Sequence, residues 1–334
     1  RESCLPKTAW PPTLDLERAE ETAKAAEKNK TKKGIFKRLK LPTKKDIPFL
    51  ILLMPAVLTV VIFSYLPFSG LVMAFREATY REVLRDGFFA GKWADHFGFG
   101  VFIRAFDMPG FGNAIKNTLL LSFLSLVFAF PLPIVFALLL DELKGKHFKS
   151  MVQTISYLPH FLSWTVIVGI FLNMSSRDGL IYTLLGGNPT ENPDLFIPVY
   201  ILLTIWQSLG WDSILYTSAL SGVSQDLYEA ASIDGAGRFR QVIAISLPEV
   251  IPTAMIMLIM RVGQIFGSNF ELVYMLNTGM WNTDVLSTLI YRKGWVEPDY
   301  SFSTAVSIMQ GGVALLLTLG ANWLSKKLSD ISML

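Results

Sequence analysis

The sequence holds a single cysteine, Cys4, so neither a disulfide framework nor a cysteine-based metal site can form within this chain. Cys4 has no apolar segment before it and does not read as a lipid-anchor cysteine. Histidine is nearly as scarce. His96, His147 and His160 fall in three separate stretches and offer no metal-ligand cluster. There is no G-x-x-x-x-G-K followed by Ser or Thr, so ATP hydrolysis is not expected of this chain. G-x-S-x-G and H-E-x-x-H are missing too, and no catalytic constellation replaces them. Charge is the largest deficit: 17% of residues are Asp, Glu, Lys or Arg, where a soluble chain carries about 25%. With 51% hydrophobic residues and a mean hydropathy of +0.42, the deficit points to a surface that faces lipid.

The first residue is Arg1 rather than Met, and residues 1–46 contain no signal-peptide hydrophobic region. This stretch is polar and rich in Lys, Glu and Ala, and is expected to form a basic cytoplasmic tail, helical or partly disordered. Lys24, Lys28, Lys30, Lys32, Lys33, Lys37, Arg38, Lys40, Lys44 and Lys45 crowd it. Nucleic-acid binding is the sharper reading of that cluster. The plainer one, a positive flank inside the first membrane helix, is preferred, and no nucleic-acid partner is expected.

Six segments each carry the roughly 20 apolar residues that cross a bilayer. They run over 49–75, 117–140, 151–172, 195–220, 243–266 and 302–324. The fold expected is therefore an all-α membrane protein of six transmembrane helices, occupying 47–334 after the tail. Pro55, Pro67, Pro131, Pro133, Pro159 and Pro198 lie inside these spans. Each removes a backbone donor, which neighbouring helices or Ser/Thr side chains can compensate. Simple kinks and helices bent around a cavity both remain open.

Lys and Arg in the loops set the orientation. With the basic tail inside, the inner segments are 141–150, 221–242 and 325–334, carrying Lys144, Lys146, Lys149, Arg238, Arg240, Lys326 and Lys327. The outer loops are then 76–116, 173–194 and 267–301, and both termini are cytoplasmic.

One inner segment carries most of the information: GVSQDLYEAASIDGAGRFRQVIAISLPEVIP, residues 222–252. Its composition predicts two short helices with a sharp break. Ser224 is placed as an N-cap and Asp226 stands in the first turn, where the helix dipole favours an anion. Tyr228 to Ile233 continues that helix. Ala230 and Ala231 are small enough for close approach by another chain. Gly235 fits the C′ position, where a left-handed backbone is cheap for glycine. Leu247-Pro248 marks re-entry into the membrane.

Glu229-Ala230-Ala231, Asp234-Gly235-Ala236 and Ile245-Ser246-Leu247-Pro248 stand at the spacing of the EAA loop of binding-protein-dependent ABC importer permeases. The segment resembles that loop without a gap, over 222–248. Many members carry Pro where Ser224 stands here, a change of little consequence for a helix cap. Tyr157-Leu158-Pro159-His160-Phe161, Val273-Tyr274-Met275-Leu276-Asn277 and residues 301–327 resemble the carbohydrate branch, most of all the LplB-type oligosaccharide and polysaccharide permeases of Gram-positive bacteria. The resemblance covers roughly 47 to the C-terminus.

The resemblance implies a type I importer permease of MetI-like fold in a bacterial cell membrane. Glu229, Ala230, Ala231, Asp234, Gly235, Ala236, Leu247 and Pro248 would then be the coupling element seated in a cleft of the ATPase. This chain would bind no cofactor, with ATP and Mg used by two separate ATP-binding cassette subunits. A second, homologous but non-identical permease chain, an extracellular solute-binding protein, membrane lipid and a carbohydrate substrate complete the implied partners. The same machine handling another solute, such as an amino acid, phosphate or lipid, is the alternative. A polytopic membrane enzyme or a secondary transporter fits less well, because neither needs this loop.

The resemblance also places the solute path near the middle of the bilayer. The positions are His160 and Trp164, then Thr204, Ser208, Trp211 and Asp212, then Gln264, Ser268 and Asn269. Aromatic rings stack on the C–H faces of sugars, while hydroxyls, amides and carboxylates exchange hydrogen bonds with sugar hydroxyls. Trp164, Trp206 and Trp211 could equally be packing or interfacial aromatics. Asp212 could line a cavity, form a structural pair or sit near the headgroups. Arg261 is expected to snorkel to the outer surface. Gly263 and Gly267, four apart, permit a close helix contact.

Overall fold

The structure is a computed structural model that describes residues 47–185, 192–267, 269–277 and 283–329. The tail 1–46 and Ser268, both singled out above, lie outside the described residues. The chain divides into two units between Phe68 and Ser69. The first unit is described by itself. Ile47–Phe75 (α1) is long and apolar enough to cross a membrane. Within its part of the first unit, Phe49, Leu52 and Phe63 are 74%, 80% and 74% exposed. Residues 47–68 are apolar on every side and buried on none, which requires lipid or another chain around them.

Four further helices pass the same test: Phe111–Asp141 (α2), Asp194–Ser221 (α5), Arg238–Gly263 (α7) and Tyr300–Lys327 (α10). The remaining span is a bent pair, Lys146–Phe161 (α3) and Trp164–Met174 (α4), which meet at 95°. The six segments read from hydropathy are all present, but the third, over 151–172, is not one rod. Pro159 has no N–H to continue the helix, so Leu158–Phe161 tightens into a 3-10 turn. Ser163 then starts afresh as an N-cap, its hydroxyl accepting from the Val166 N–H.

The other prolines act differently. A proline clashes with the carbonyl four residues before it. One-turn π-bulges occupy Val61–Tyr65, Ser125–Ala129, Val242–Ser246 and Arg292–Val296. Each lies just ahead of a proline or proline pair: Pro67, Pro131 and Pro133, Pro248, and Pro298. In the first three the added residue in the turn makes room for the ring without ending the helix, whereas the helix ends after Val296. Pro198 is accommodated inside α5 with no break.

Between these spans lie Gln225–Ile233 (α6), Phe270–Leu276 (α8) and Leu286–Tyr291 (α9). The main core joins α2, α4, α5 and α8 through Leu121, Ile167, Val168, Phe171, Leu203, Leu272 and Val273. A second cluster, Ala137, Tyr216, Leu220 and Val250, joins α2, α5 and α7. Glycine permits the closest approaches. A Cβ on Gly210 of α5 would lie 2.1 Å from the Ser156 carbonyl of α3, and one on Gly263 of α7 would lie 2.3 Å from Thr318 Oγ1 of α10.

Two features were not foreseen from hydropathy. Arg76–Glu77 (β1) and Lys92–Trp93 (β2) pair antiparallel, so the fold holds one tiny ladder among its helices. The second is a buried polar cluster in the stretch assigned to the last outer loop. The Asp284 carboxylate, 8% exposed, is ion-paired to Arg292. It also accepts from Asn277 Nδ2 at 2.9 Å and Thr288 Oγ1 at 3.3 Å. Asn117 of α2 donates to the Asp284 carbonyl, and Thr118 accepts from the Leu286 N–H. The loop is thereby tied to the start of α2. That start falls at Phe111, six positions ahead of the expected 117, because Phe111 and Ala114 pack with Leu286, Leu289 and Phe302.

Candidate functional site

Two regions carry the residues singled out by sequence. The first is the loop 222–248. Ser224 caps α6, its hydroxyl accepting from the Asp226 N–H at 3.3 Å. The helix ends at Ile233, and Gly235 follows with φ of 79°. The Gly235 N–H bonds the Ser232 carbonyl at 3.1 Å and the Ala236 N–H bonds the Ala231 carbonyl at 2.9 Å. That pair of bonds is a Schellman cap, closed by glycine at C′. Glu229, Ala230, Asp234 and Gly235 are exposed, while Ala231 and Ala236 are half-buried.

The second short helix expected here is not separate. Arg238 begins α7, which runs on through the π-bulge Val242–Ser246 to Gly263, so the fifth span starts at Arg238 rather than near Ile243. Half-buried Leu247 and exposed Pro248 lie inside this continuous rod. Any force on the loop therefore reaches the membrane helix without crossing a flexible joint. Side chains fasten α6 to that rod. Gln241 Nε2 donates to Ser232 Oγ at 2.9 Å and to the Ala236 carbonyl at 3.0 Å. The Tyr228 hydroxyl and the buried Ser246 hydroxyl share a bond of 2.9 Å. The outer faces are apolar: Ile233 is 86% exposed and Phe239 79%.

The second region is a cavity of about 390 Å3. From α5 come Tyr200, Thr204, Gln207, Ser208 and Asp212, which repeat along one helical stripe. From α2 come Ser122, Ser125 and Phe130; His160 comes from the turn at the α3–α4 bend, and Trp164 from α4. Arg261, Gln264 and Asn269 close the opposite side. The bend at Pro159 thus serves the cavity, because it carries His160 to the wall. Ser122 also donates to the Ile265 carbonyl, joining α2 to the end of α7.

Seven of the nine path candidates line this one cavity: His160, Trp164, Thr204, Ser208, Asp212, Gln264 and Asn269. Ser268 lies outside the described residues. Trp211 does not line the wall. It stacks on the His160 ring at 4.3 Å and 4° between planes, with Phe161 edge-on at 5.7 Å. Trp206, 48% exposed, is away from the wall. Asp212 both lines the cavity and forms a pair, so two of its readings hold together.

Arg261 corrects the expectation of outward snorkelling. It is ion-paired with Asp212 and forms part of the cavity wall. The partner carboxylate from α5 holds the guanidinium in the cavity wall. Ser122, Ser125, Tyr200 and Gln207 went unsuspected. Tyr200 stands four positions before Thr204 and Gln207 three after it, and helical spacing from Thr204 was the available signal. The two α2 serines gave none, sitting in a strongly apolar run.

The model of the family described as "binding-protein-dependent transport system inner membrane component" matches residues 129–330. The chain belongs to that family. Among curated relatives, Protein LplB of Bacillus subtilis is 38% identical over 293 residues, covering 85% of this chain and 90% of LplB. The polygalacturonan/rhamnogalacturonan transport system permease protein YteP of the same organism is 36% identical over 324 residues, covering 94% and 99%. A crystal structure of a bacterial ABC transporter that imports the acidic polysaccharide alginate superposes with a TM-score of 0.76 at 36% identity, covering 86% of this chain and 97% of that one. A bacterial alginate transporter in complex with an alginate pentasaccharide-bound periplasmic protein gives the same score at 35% identity.

The permease is therefore a multi-pass membrane protein with the expected helical fold. The family match contains the loop 222–248 and every described cavity residue beyond α2's first half. In this permease the Gln241 bonds make a specific demand. Gln241→Ala should leave the chain inserted but lower solute taken up per ATP hydrolysed by about two- to fivefold, in keeping with the loss of roughly 1 kcal/mol from two partly exposed bonds. Coupling equal to wild type in reconstituted vesicles would mean that the clamp is incidental.

Proposed function

We propose that this chain is the membrane-spanning permease subunit of an ATP-driven importer, and that its solute is an oligosaccharide or a sugar derived from a polysaccharide. The observation that carries the reading is the continuity of a rigid, apolar-tipped loop with a helix that ends at a polar, aromatic-flanked cavity. One relative belongs to a polygalacturonan/rhamnogalacturonan transport system and a structural neighbour is involved in import of the polysaccharide alginate, which favours a sugar over an amino acid, phosphate or lipid. The cavity chemistry agrees. Hydroxyls and amides provide many weak contacts, which let a solute enter and also leave.

In this reading both termini and the loop 222–248 are cytoplasmic, in a bacterial cell membrane. Two ATP-binding subunits use ATP and Mg, and each permease chain seats one loop in an ATPase cleft. Glu229, Ala230, Ala231, Asp234, Gly235, Ala236, Leu247 and Pro248 form the coupling element. A second permease chain completes the pathway, because one chain encloses half of it. A solute-binding protein outside the cell delivers the sugar, a reading supported by the alginate transporter's complex with a pentasaccharide-bound periplasmic protein. Closure of the ATPase pair moves the loop, and α7 carries that motion to the cavity as a rigid body.

Uptake by proteoliposomes tests this. Vesicles holding this chain, its partner permease and the ATP-binding subunits should accumulate a labelled oligosaccharide only with ATP and the binding protein present. Uptake without the ATPase, or ATP-driven uptake of amino acids with no sugar accepted, would overturn the reading.

A further inference from the structure

Arg261 is the only lysine or arginine among the residues that line the cavity, and Asp212 is the only acid. The remaining polar lining is hydroxyl, amide and imidazole. A charged pair inside a membrane span is costly, so a neutral path has no need of one. The geometry of the pair is end-on. Nη2 of Arg261 donates to Oδ2 of Asp212, and this is the guanidinium's only hydrogen bond among the described residues. A guanidinium has five N–H donors arranged as a planar fork that fits a carboxylate two-pronged. Arg261 lines the cavity, and its side chain is 42% exposed.

Resting on the importer reading above, we infer that Arg261 is a specificity-determining residue that binds a carboxylate of an acidic, uronate-type sugar unit. The solute carboxylate takes the fork two-pronged and displaces Asp212, so the guanidinium exchanges one carboxylate partner for another and the displaced Asp212 carboxylate is left to water in the cavity. Asp212, 19% exposed, turns to the cavity. A neutral sugar brings no anion to displace Asp212 and leaves the ion pair in place. Asp212 therefore holds Arg261 compensated in the empty cavity and disfavours uncharged solutes. The substrates printed for the relatives, a polygalacturonan or rhamnogalacturonan and an acidic polysaccharide, agree with this chemistry.

A purely structural ion pair makes different demands, and three variants separate the two. In the reconstituted complex with binding protein, labelled oligogalacturonate serves as the acidic probe. Arg261→Lys keeps the charge and the pairing with Asp212 but lacks the fork; it should lower uptake of the probe about 10-fold or more. Arg261→Gln should lower it at least as far. Asp212→Asn removes the competing carboxylate, and the concentration for half-maximal uptake should fall or stay level. Melting temperature is read alongside uptake in all three, so that a loss of recognition is separated from a loss of fold. Near-normal uptake by Arg261→Lys, or equal losses in Arg261→Gln and Asp212→Asn, would show a structural pair and overturn the inference while the importer reading stands. A wild-type complex that hydrolyses ATP in response to binding protein but imports no sugar would overturn the importer reading and this inference with it.

Discussion

Gly235→Val should leave the chain in the membrane and uncouple ATP hydrolysis from uptake. Gly235 has φ of 79°, and a Cβ placed there would meet nothing within 4 Å. The penalty is therefore torsional and not a clash. A left-handed backbone costs an L-residue roughly 1–2 kcal/mol, and a β-branched one more. A shift of that size changes the ratio of closed to opened caps by a factor of about 5–30. With the Schellman cap open, α6 no longer holds a fixed angle to α7, and motion at the loop dissipates before it reaches the span. Solute moved per ATP should fall about tenfold, with hydrolysis persisting. Gly235→Asn should retain most coupling, because asparagine tolerates the left-handed region. Equal coupling in the valine variant would show that loop stiffness is irrelevant.

The largest loss of stability is expected from Asp284→Ala. The carboxylate is 8% exposed and is engaged by Arg292, Asn277 and Thr288 together. Removing one partner of a buried pair costs about 3–5 kcal/mol. For a body of this size that corresponds to a melting temperature lower by about 10 °C. The chain's 8 tryptophans allow the measurement by intrinsic fluorescence in detergent. Asp284→Asn, which keeps an acceptor for Asn277 and Thr288, should fall by about half as much. A melting temperature unchanged by the alanine variant would contradict the tie between this loop and α2.

What hydropathy could deliver was the set of spans, since crossing lipid demands a long apolar run and little else. It could not deliver the bend at Pro159, because the same proline codes for a kink, a π-bulge or a break according to what packs beside it. At Pro131 and Pro248 the answer was a bulge; at Pro159, followed by a capping Ser163, it was a break. The local structure of loop 222–248 was legible nearly in full, because caps and left-handed glycines are local. Its merger with α7 was not, since Leu247-Pro248 reads as a boundary in sequence. Arg261 was misplaced for a related reason. Its partner Asp212 is 49 positions away, and helical periodicity within one span says nothing about which face of another span it meets.

The claim that loop 222–248 hands the work of a separate ATPase to the membrane helices can be tested by crosslinking. Replacing Cys4, the only cysteine, with serine leaves a clean background. Ile233→Cys then places one thiol at the tip of α6, at a position 86% exposed in the native chain. With a short thiol-reactive crosslinker in the assembled transporter, the predicted result is a product joining this chain to the ATP-binding subunit, formed in inside-out vesicles and changed in yield by ATP. Labelling of that thiol from outside intact cells, with no product to the ATP-binding subunit, would contradict the account.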